Sequence, residues 1–438
     1  MTSDRRTFLK QTSTAGLGLI AAPSLRFGKI SPNDKVVVGV MGLAGRGHAL
    51  ARVFSAIPDS EVAYVADVDS RILDRTVEAV RENQERSPTA VQDFRQVLDD
   101  TDVDALVIAA PDHWHTPASI MALQAGKHVY VEKPLGHNPR EGELLVEAQR
   151  KYGQVVQMGN QQRSSAFTQQ IIREIHGGLI GRPYLARTWY ANTRGPIGNG
   201  QEVPVPEGLD YDLWQGPAPR TPYRDNIIHY NWHWFWRWGT GESCNNGTHE
   251  LDIARWALQV DYPVRASSVG GRYHYEDDWE FYDTQIAGFE FGDDRCITWE
   301  GRSCNAFPIA GRGRGTSVHG TEGTVVMDRD GFEVYDLENE LVRSEVREAP
   351  EASMDVVGGG DMTDGHAQNF AQAIRGEAVQ NSEIEEGHKS VLLCHLANIA
   401  QVTGRALAID PSNGRIVDDA QAMEYWSREY EPGWEPVV

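Results

Sequence analysis

The sequence predicts an α/β domain followed by an α+β domain. Three strands of the first half are unbroken apolar runs, at 35–41, 61–66 and 105–110, and helical patterns separate them. Apolar strands that alternate with helices are typical of a parallel sheet with right-handed crossovers. Beyond residue 160, short segments alternate apolar and polar residues, as at 284–291. That period of two predicts an open, mostly antiparallel sheet with one exposed face.

The composition is that of a folded, strongly acidic protein. Apolar residues make up 40% of the chain, and 63 acidic residues against 41 basic ones give a net charge of −22. This charge repels a phosphate backbone, so we expect no nucleic-acid partner. The four cysteines contain no Cys-x-x-Cys pair, and no His-Glu-x-x-His run or comparable ligand spacing occurs. The sequence therefore indicates neither a disulfide framework nor a metal site.

The first residues carry an export pattern. Arg5 and Arg6 precede a weakly apolar run at 15–22, which is far shorter than the ~20 residues that cross a bilayer. Paired arginines before such a run are typical of a twin-arginine signal, and a disordered basic start is the alternative. We therefore expect residues 1–32 to be a twin-arginine signal and linker. The partner in export would be the twin-arginine translocation machinery, and the location periplasmic or otherwise extracytoplasmic.

A glycine-rich turn follows the first strand. Gly42, Ala44 and Gly47 stand where a Rossmann turn has Gly-x-Gly-x-x-Gly, so alanine replaces the second glycine. Gly42 permits the tight turn, and the adjacent Gly45 can relieve the extra methyl group. The helix that begins near Arg46 then offers N–H groups and a positive dipole to a pyrophosphate. The strand, turn and helix together predict a dinucleotide site.

An acidic residue at the end of the second strand favours one cofactor. Asp67 lies 20 residues after Gly47, where a carboxylate can accept from ribose hydroxyls and repels a 2′-phosphate. Arg71 could still accommodate that phosphate, so NAD is favoured and NADP is the alternative. We assign residues 33–160 to a Rossmann domain that binds this cofactor. Residues 161–438 are then the α+β domain with C-terminal helices.

Lys133 emerges at the carboxyl edge of the predicted parallel sheet. It directly follows the strand at 128–131, and the helix before that strand is expected to begin near Pro117. Ligands of open α/β sheets bind in the crevice outside this edge. A cation there can hold a substrate hydroxyl near the nicotinamide, or relay a proton as an alcohol becomes a ketone. A solvated surface lysine is the alternative.

A second polar group lies between residues 245 and 252. Asn245, His249 and Asp252 are spaced i, i+4, i+7, so on a helix they share one face. His249 could accept the hydroxyl proton while hydride leaves the same carbon, because imidazole titrates near neutrality. A buried histidine bonded to Asp252 for structural reasons is the alternative.

Together these motifs resemble the Gfo/Idh/MocA family of NAD(P)-dependent oxidoreductases. The likeness rests on the turn at 42–47, the runs at 109–115 and 132–134, Gly-x-His-x-x-Asp at 247–252, and the segment 318–324. The resemblance implies a Rossmann domain and an α/β domain whose open sheet often serves oligomerisation. We therefore expect a homo-oligomer formed through the C-terminal sheet. The resemblance also implies oxidation or reduction of a carbinol in a sugar or polyol.

The predicted site has three groups of residues. The resemblance places catalysis on Lys133 and His249. The cofactor-binding group surrounds the glycine turn and the ends of the later strands, and consists of Gly42, Ala44, Gly45, Arg46, Gly47, Asp67, Pro111, His113, His115 and Glu132. The substrate-binding group is Asn245, Arg163, Asp252 and Trp236. Trp236 belongs to an alternating aromatic run at 232–238, whose rings can stack on sugars but more often form a core.

One position departs from the family pattern and leaves alternatives open. Many members carry aspartate four residues before the histidine, where this chain has Asn245. The leading hypothesis is an exported NAD(P)-dependent oxidoreductase that acts on a sugar or polyol. One alternative is an NAD-dependent glycoside hydrolase or lyase; such proteins carry a tyrosine near the histidine, which the run 245–252 lacks. The others are a sugar–sugar oxidoreductase with tightly bound cofactor and a binding protein without turnover.

Overall fold

The computed structural model describes residues 35–346 and 361–438. The export signal that we predict at residues 1–32 therefore lies outside the described residues. Two sheets organise the described chain, and a run of C-terminal helices joins them. None of the helices described is both long enough and apolar enough to pass through a membrane.

The first sheet is parallel throughout and has the strand order β3-β2-β1-β4-β5-β6. Its strands are β1 Val36–Met41, β2 Ser60–Ala66, β3 Thr89–Val91, β4 Ala105–Ile108, β5 His128–Val131 and β6 Val156–Met158. The helices between them are α1 Arg46–Ala56, α2 Leu73–Arg81, α3 Arg95–Asp99, α4 Asp112–Gln124 and α5 Pro139–Tyr152. The strand order reverses between β1 and β4, which is where such sheets bind ligands.

Helix α4 begins at Asp112, more than a turn before the start near Pro117 that the sequence predicts. A proline inside a helix has no N–H, so the carbonyl four residues earlier loses its donor. That carbonyl belongs to His113, and Arg428 Nη2 donates to it at 2.7 Å. The C-terminal segment thus supplies the hydrogen bond that Pro117 removes, which a local pattern could not predict.

The second sheet has nine strands in the order β14-β13-β12-β11-β7-β10-β9-β8-β15. Its strands are β7 Pro183–Ala191, β8 Arg265–Gly271, β9 Thr284–Phe291, β10 Arg295–Arg302, β11 Arg314–Gly320, β12 Thr324–Met327, β13 Gly331–Tyr335, β14 Leu341–Val346 and β15 Leu407–Ala408. Every pair is antiparallel except β7 with β10. The predicted fold class is confirmed.

The helices of the second half are α6 Ala166–His176, α7 Tyr211–Gln215, α8 Thr248–Leu258, α9 Asp361–Ile374, α10 Ile384–Thr403 and α11 Ala420–Met423. Of these, α6, α8 and α10 pack on one face of this second sheet. Helices α8 and α10 pack on the sheet around Trp299 and Phe289. On the open face, Val269 is 65% and Ile286 48% exposed. Helix α9 instead returns to the first domain, where the Phe370 and Phe54 rings lie 6.2 Å apart.

Candidate active site

A pocket opens between the carboxyl edge of the parallel sheet and the second domain. Its first wall carries predicted residues from the strand ends: Gly42, Ala44, Gly45, Arg46, Asp67, Pro111, His115, Glu132 and Lys133. Its second wall carries two predicted residues, Asn245 and His249. Gly47, His113, Arg163, Asp252 and Trp236 are the predicted residues that do not line the pocket. Most of the predicted site is therefore brought together in one crevice.

The glycine turn is shaped by close contacts. Gly42 has a φ of +84°, and a Cβ there would lie 2.6 Å from the backbone nitrogen of Ala110. A Cβ on Gly47 would lie 1.7 Å from the Gly42 carbonyl oxygen, so only glycine lets α1 approach the strand. Ala44 is exposed and lines the pocket. The N-terminus of α1 at Arg46 faces the pocket, as a pyrophosphate requires.

Asp67 at the end of β2 is held by backbone donors. One oxygen accepts from Leu43 N at 2.6 Å, and the other accepts from Asp69 N at 2.9 Å. Each carboxylate oxygen has a second lone pair, so both can still accept from ribose hydroxyls. Burial raises the pKa of Asp67. Arg71, the residue that could favour NADP, is bound to Asp69 with Nε 2.7 Å from Oδ1.

Lys133 meets Asn245 across the pocket. Its Nζ donates to the Asn245 backbone oxygen at 2.8 Å and to Oδ1 at 3.1 Å, and burial lowers the pKa of Lys133. The Asn245 Nδ2 donates to Glu242 at 3.3 Å, and Glu242 pairs with Arg194 at 2.6 Å. An amide nitrogen that faces a carboxylate turns its oxygen toward the ammonium. Position 245 itself has no carboxylate, but the carboxylate of Glu242 lies directly behind the Asn245 side chain as seen from Lys133.

Glu132 links two parts of the first wall through a buried ion pair with Arg46. Its carboxylate accepts from Arg46 Nε at 2.8 Å, and the residue is buried. Burial opposes ionisation here, but the nearby Arg46 and Lys133 cations outweigh it and lower the pKa of Glu132. A charged Glu132 therefore ties the turn before α1 to the end of β5, which places Lys133.

His249 reaches the pocket from the start of α8. Its Nδ1 is buried and has no hydrogen-bond partner among residues 35–346 and 361–438. Burial, with the Arg329, Lys133 and Arg314 cations, puts the pKa of His249 well below its usual range. The imidazole is therefore neutral near pH 7 and can accept a proton.

Asp252 and Arg163, predicted to bind substrate, face each other away from the pocket. Arg163 Nε lies 2.7 Å from Asp252 Oδ2, and the side chains are 8% and 1% exposed. Ser390 Oγ also donates to Asp252, at 2.7 Å. Residues 243–247 form a π-helical turn before α8, so the regular helical spacing from Asn245 onward does not hold. The three residues therefore do not share one face, and Asp252 does not bond His249.

Of three further predicted residues, His115 reaches the pocket, whereas His113 and Trp236 do not. His115 lines it, and its ring nitrogens lie 2.7 Å from the Ala110 carbonyl and 2.5 Å from the Pro134 carbonyl. It thereby joins the ends of β4 and β5. His113 lies behind the pocket, bonded to the Trp214 carbonyl at 2.9 Å. Trp236 packs on Phe281 with ring centroids 3.9 Å apart, in a small aromatic cluster outside the pocket.

The residues that sequence reasoning missed come from the loop at 227–235. His229, Tyr230, Trp232 and His233 all line the pocket. The alternating run pointed to this loop, but the prediction chose a tryptophan, while the histidines between the aromatic rings reach the crevice. Tyr230 also accepts from Arg194 at 3.0 Å. A tyrosine therefore lines the same pocket as His249, although the run 245–252 contains none.

Of the two neutral histidines in the pocket, His249 and His233, only His233 has a ring orientation fixed by a hydrogen bond among the described residues. Its Nδ1 donates to the Tyr230 carbonyl at 2.6 Å, because a carbonyl can only accept. The ring stacks on Trp232 at 3.6 Å, and Nε2 has no hydrogen-bond partner within the described part of the chain. Burial puts the pKa of His233 well below its usual range. Nε2 therefore carries a lone pair in a fixed ring.

Asp112 is a further missed residue, at the start of α4. It lines the pocket and accepts from Thr240 Oγ1 at 2.5 Å. Burial raises its pKa to about 6. Within residues 35–346 and 361–438, no cluster of three or more histidine, cysteine or acidic side chains could hold a metal ion.

The turn, the acid after β2 and the lysine after β5 define a two-domain Rossmann protein with a nicotinamide site. Residues 35–160 match the model described as "Oxidoreductase family, NAD-binding Rossmann fold". Residues 186–282 match the same family's "C-terminal alpha/beta domain". The chain belongs to the Gfo/Idh/MocA oxidoreductase family, and NAD is its cofactor, which confirms both expectations.

Curated relatives and solved structures share parts of this chain. A "Glycosyl hydrolase family 109 protein" from Saccharopolyspora erythraea is 30% identical over 200 residues, which are 41% of this chain and 43% of the relative. The chain thus spans less than half the length of the curated relatives it matches.

The structural neighbours share the fold at low identity. The WlbA dehydrogenase from Bordetella pertussis, in complex with NADH and UDP-GlcNAcA, is 18% identical with a TM-score of 0.64, over 86% of this chain and 99% of that one. An aldose–aldose oxidoreductase from Caulobacter crescentus is 18% identical with a TM-score of 0.64, over 86% and 100%.

Proposed function

We propose that this protein is an NAD-dependent oxidoreductase that transfers hydride between the cofactor and a carbinol of a sugar or polyol. The observation that carries the proposal is Lys133, held by Asn245 at the carboxyl edge of the sheet, with neutral His249 in the same pocket. Bound NAD supplies a hydride acceptor at this end of the crevice. The structural neighbours named for dehydrogenase and aldose–aldose chemistry support the substrate class.

The pocket residues divide the work of proton transfer. Lys133 holds the substrate hydroxyl in place through its ammonium group. A neutral imidazole, of His249 or His233, takes the hydroxyl proton while the carbinol hydrogen leaves with its electron pair. The hydroxyl oxygen then forms the carbonyl, and the reverse transfers reduce it. The positive charge on Lys133 also stabilises developing charge on that oxygen.

The test is an oxidation assay with a panel of sugars and polyols and added NAD, followed by the absorbance of reduced nicotinamide. We expect Lys133→Ala and His249→Asn each to lower kcat/KM by about a hundredfold or more. His233→Asn, measured in parallel, shows whether the second neutral imidazole of the pocket also takes part in proton transfer. The matched control is Lys151→Ala, an exposed lysine on α5. Full turnover in the Lys133 variant would refute the proposal.

A second candidate is a glycoside hydrolase that oxidises its sugar transiently, eliminates the aglycone and reduces the product again. Tyr230 in the pocket and the curated relatives named glycosyl hydrolase family 109 favour it. Release of nitrophenol from nitrophenyl glycosides without net change in cofactor absorbance would support this candidate. Tyr230→Phe should then reduce release, because it removes the phenolic proton but keeps the ring.

The proposed location and assembly need their own tests. We propose export by the twin-arginine machinery from Arg5 and Arg6. Changing both arginines to lysine should leave the protein in the cytoplasmic fraction when the cells are fractionated.

We propose a homo-oligomer through the open face of the nine-stranded sheet, which exposes Val269 and Ile286. Sedimentation should then show smaller particles after Ile286→Glu, because a buried charge disfavours the interface.

A further inference from the structure

We propose that Glu242 is a positioning residue of this site: it turns the Asn245 amide so that the amide oxygen faces Lys133, and thereby leaves the Lys133 ammonium with a single N–H for the substrate. This role deepens the proposed function, on which it rests for the action of Lys133. It also explains why this chain has asparagine at position 245, because a carboxylate there would face the carboxylate of Glu242.

The Lys133 ammonium makes both of its hydrogen bonds with one residue. Its Nζ donates to the Asn245 backbone oxygen at 2.8 Å and to Oδ1 at 3.1 Å, and it has no further hydrogen-bond partner among residues 35–346 and 361–438. An ammonium has three N–H donors. One N–H therefore remains for an oxygen of the substrate, and the two bonds to Asn245 fix its direction.

Glu242 orients the Asn245 amide from behind. Its Oε1 accepts from Asn245 Nδ2 at 3.3 Å and also from Asn246 Nδ2. An ionised carboxylate can only accept, so both amides must point their nitrogens toward Glu242 and their oxygens away from it. For Asn245, the far side is the Lys133 ammonium. Both asparagines line the pocket, so the orientation that Glu242 sets reaches the pocket surface.

Glu242 is a charge held in one place. The residue is 5% exposed, and its Oε2 accepts from Arg194 Nε at 2.6 Å and from Ser303 Oγ at 3.1 Å. Burial opposes ionisation, but the Arg194 cation outweighs it and lowers the pKa of Glu242. The Arg194 guanidinium is itself held, 4.9 Å from the centre of the Trp234 ring and 3.0 Å from the Tyr230 hydroxyl. Glu242 is therefore ionised near pH 7 and fixed on both of its oxygens.

The same geometry disfavours a carboxylate at position 245. Aspartate there would place an oxygen where Asn245 Nδ2 now stands, 3.3 Å from Glu242 Oε1. Two carboxylates at that distance do not both ionise in a buried site. Ionised Glu242 and neutral Asn245 are therefore a matched pair. Lys133 then contacts dipoles instead of a direct ion pair, and burial lowers its pKa, so its ammonium gives up a proton more readily than one held by a carboxylate.

The test follows Lys133 itself and needs neither substrate nor NAD. The full-length protein is labelled to a trace extent with acetic anhydride at a series of pH values, because the reagent acetylates only neutral amines. Mass spectrometry then quantifies the Lys133 peptide against that of Lys151, an exposed lysine on α5. The pH midpoint of Lys133 labelling reports how strongly its surroundings hold the proton.

The decisive variant is Glu242→Gln. The glutamine oxygen should stay with Arg194 and Ser303, which puts the new amide nitrogen against Asn245 Nδ2. The Asn245 amide must then turn its own nitrogen toward Lys133. We expect the midpoint of Lys133 labelling to fall by about one pH unit, a tenfold loss of proton affinity.

A second substitution should restore the pairing. In Glu242→Gln combined with Asn245→Asp, the glutamine nitrogen faces a carboxylate that also contacts Lys133, so the midpoint should rise above the wild-type value. Asn245→Asp alone should have a lower Tm than the wild type and the double variant. The matched control is Glu250→Gln, which removes a carboxylate of 1% exposure from its pair with Arg314 at 2.6 Å. It should leave the Lys133 midpoint unchanged.

Each result has a defined meaning. A midpoint that Glu242→Gln leaves unchanged would overturn the proposal, as would an equal fall in Glu250→Gln. If Glu242→Gln does not fold, Asn245→Asp decides by itself, because an unchanged Tm would show that the two positions do not depend on each other. A failed oxidation assay alongside the expected midpoints would count against the proposed function alone, so the two failures are distinguishable.

Discussion

The two walls of the pocket are built by different means. The first wall consists of strand ends in a parallel sheet, and its residues follow one another closely in the chain, as Arg46 follows Gly42. The second wall brings together segments that are far apart, such as the loop with His233 and the start of α8 with His249. Backbone ladders position the first wall. Buried ion pairs and stacked rings position the second, as the Glu242 and Arg194 pair shows.

This difference determines which substitutions each wall tolerates. Backbone hydrogen bonds between strands survive most side-chain changes but not a shift of the backbone itself. Substitutions of closely packed glycines, which force such a shift, should therefore be the most damaging in this wall. A wall held by side chains tolerates backbone adjustment but not the loss of one partner in a buried pair. Substitutions matched to each wall therefore test the comparison.

The largest combined effect, on stability and NAD affinity together, is expected from Gly47→Ala, in the turn beside the first wall. The new Cβ would lie 1.7 Å from the Gly42 carbonyl oxygen, so α1 must move away from the strand. We expect a loss of about 1–3 kcal/mol in unfolding free energy. NAD affinity should fall roughly a hundredfold, about 3 kcal/mol, as the helix N-terminus loses its phosphate contacts. Denaturant titration and calorimetry measure the two.

The control for this variant is Gly195→Ala. No atom lies within 4 Å of a Cβ at that position, and the residue is exposed. It should retain wild-type stability and NAD affinity. If Gly47→Ala did so too, the close contact between turn and helix would not be what shapes the cofactor site.

The next effect is expected from Arg163→Met, behind the second wall. The change leaves the Asp252 carboxylate buried at 1% exposure with Ser390 but no cation. We expect the unfolding free energy to fall by about 3–5 kcal/mol, because an unpaired buried charge is costly. Thermal and denaturant unfolding measure it, with exposed Arg173→Met on α6 as control. A raised KM at unchanged stability would instead restore the sequence-based assignment of Arg163 to substrate binding.

The smallest effect is expected from Asp112→Asn, where the two walls meet. Burial raises the pKa of Asp112 to about 6, above the ordinary value of 3.8. The folded state then holds a proton that the unfolded state has released, so wild-type stability falls as pH rises from about 4 to 6. Two pKa units correspond to about 3 kcal/mol. The variant should lack this fall, because an amide does not titrate.

Unfolding measured across that pH range tests the prediction. Asp212→Asn, at a carboxylate that is 89% exposed, is the control and should keep the wild-type profile. A variant whose stability still falls between these pH values would show that another group carries the dependence. Thr240 can donate to the amide oxygen as it does to Asp112, so the local hydrogen bond survives the change.

The fold and the first wall were predictable because their causes are local. Apolar runs identify the strands, and the turn at 42–47 with Asp67 identifies a dinucleotide site without any distant information. The second wall was predictable only in part. The spacing of Asn245, His249 and Asp252 assumes a regular helix, and the π-helical turn at 243–247 changes which residues face the pocket.

The segment 208–238 shows the same limit more strongly. The structure has α7 at Tyr211–Gln215 there, with a short 3₁₀ turn at Asn231–Trp234. Its position beside the crevice comes from contacts with residues more than a hundred positions away, such as Ser70 with Gly208. No local pattern encodes such a contact.

By itself, the sequence determined the two-domain architecture, the NAD site and the position of Lys133 at the sheet edge. Those features follow from periodicity and turn chemistry, which act over a few residues. Only the tertiary structure decided that Asn245 faces Lys133, that Arg163 and Asp252 neutralise each other, and that His229 and His233 enter the pocket. These depend on which distant side chains meet in a low-dielectric interior, where each charge must find a partner.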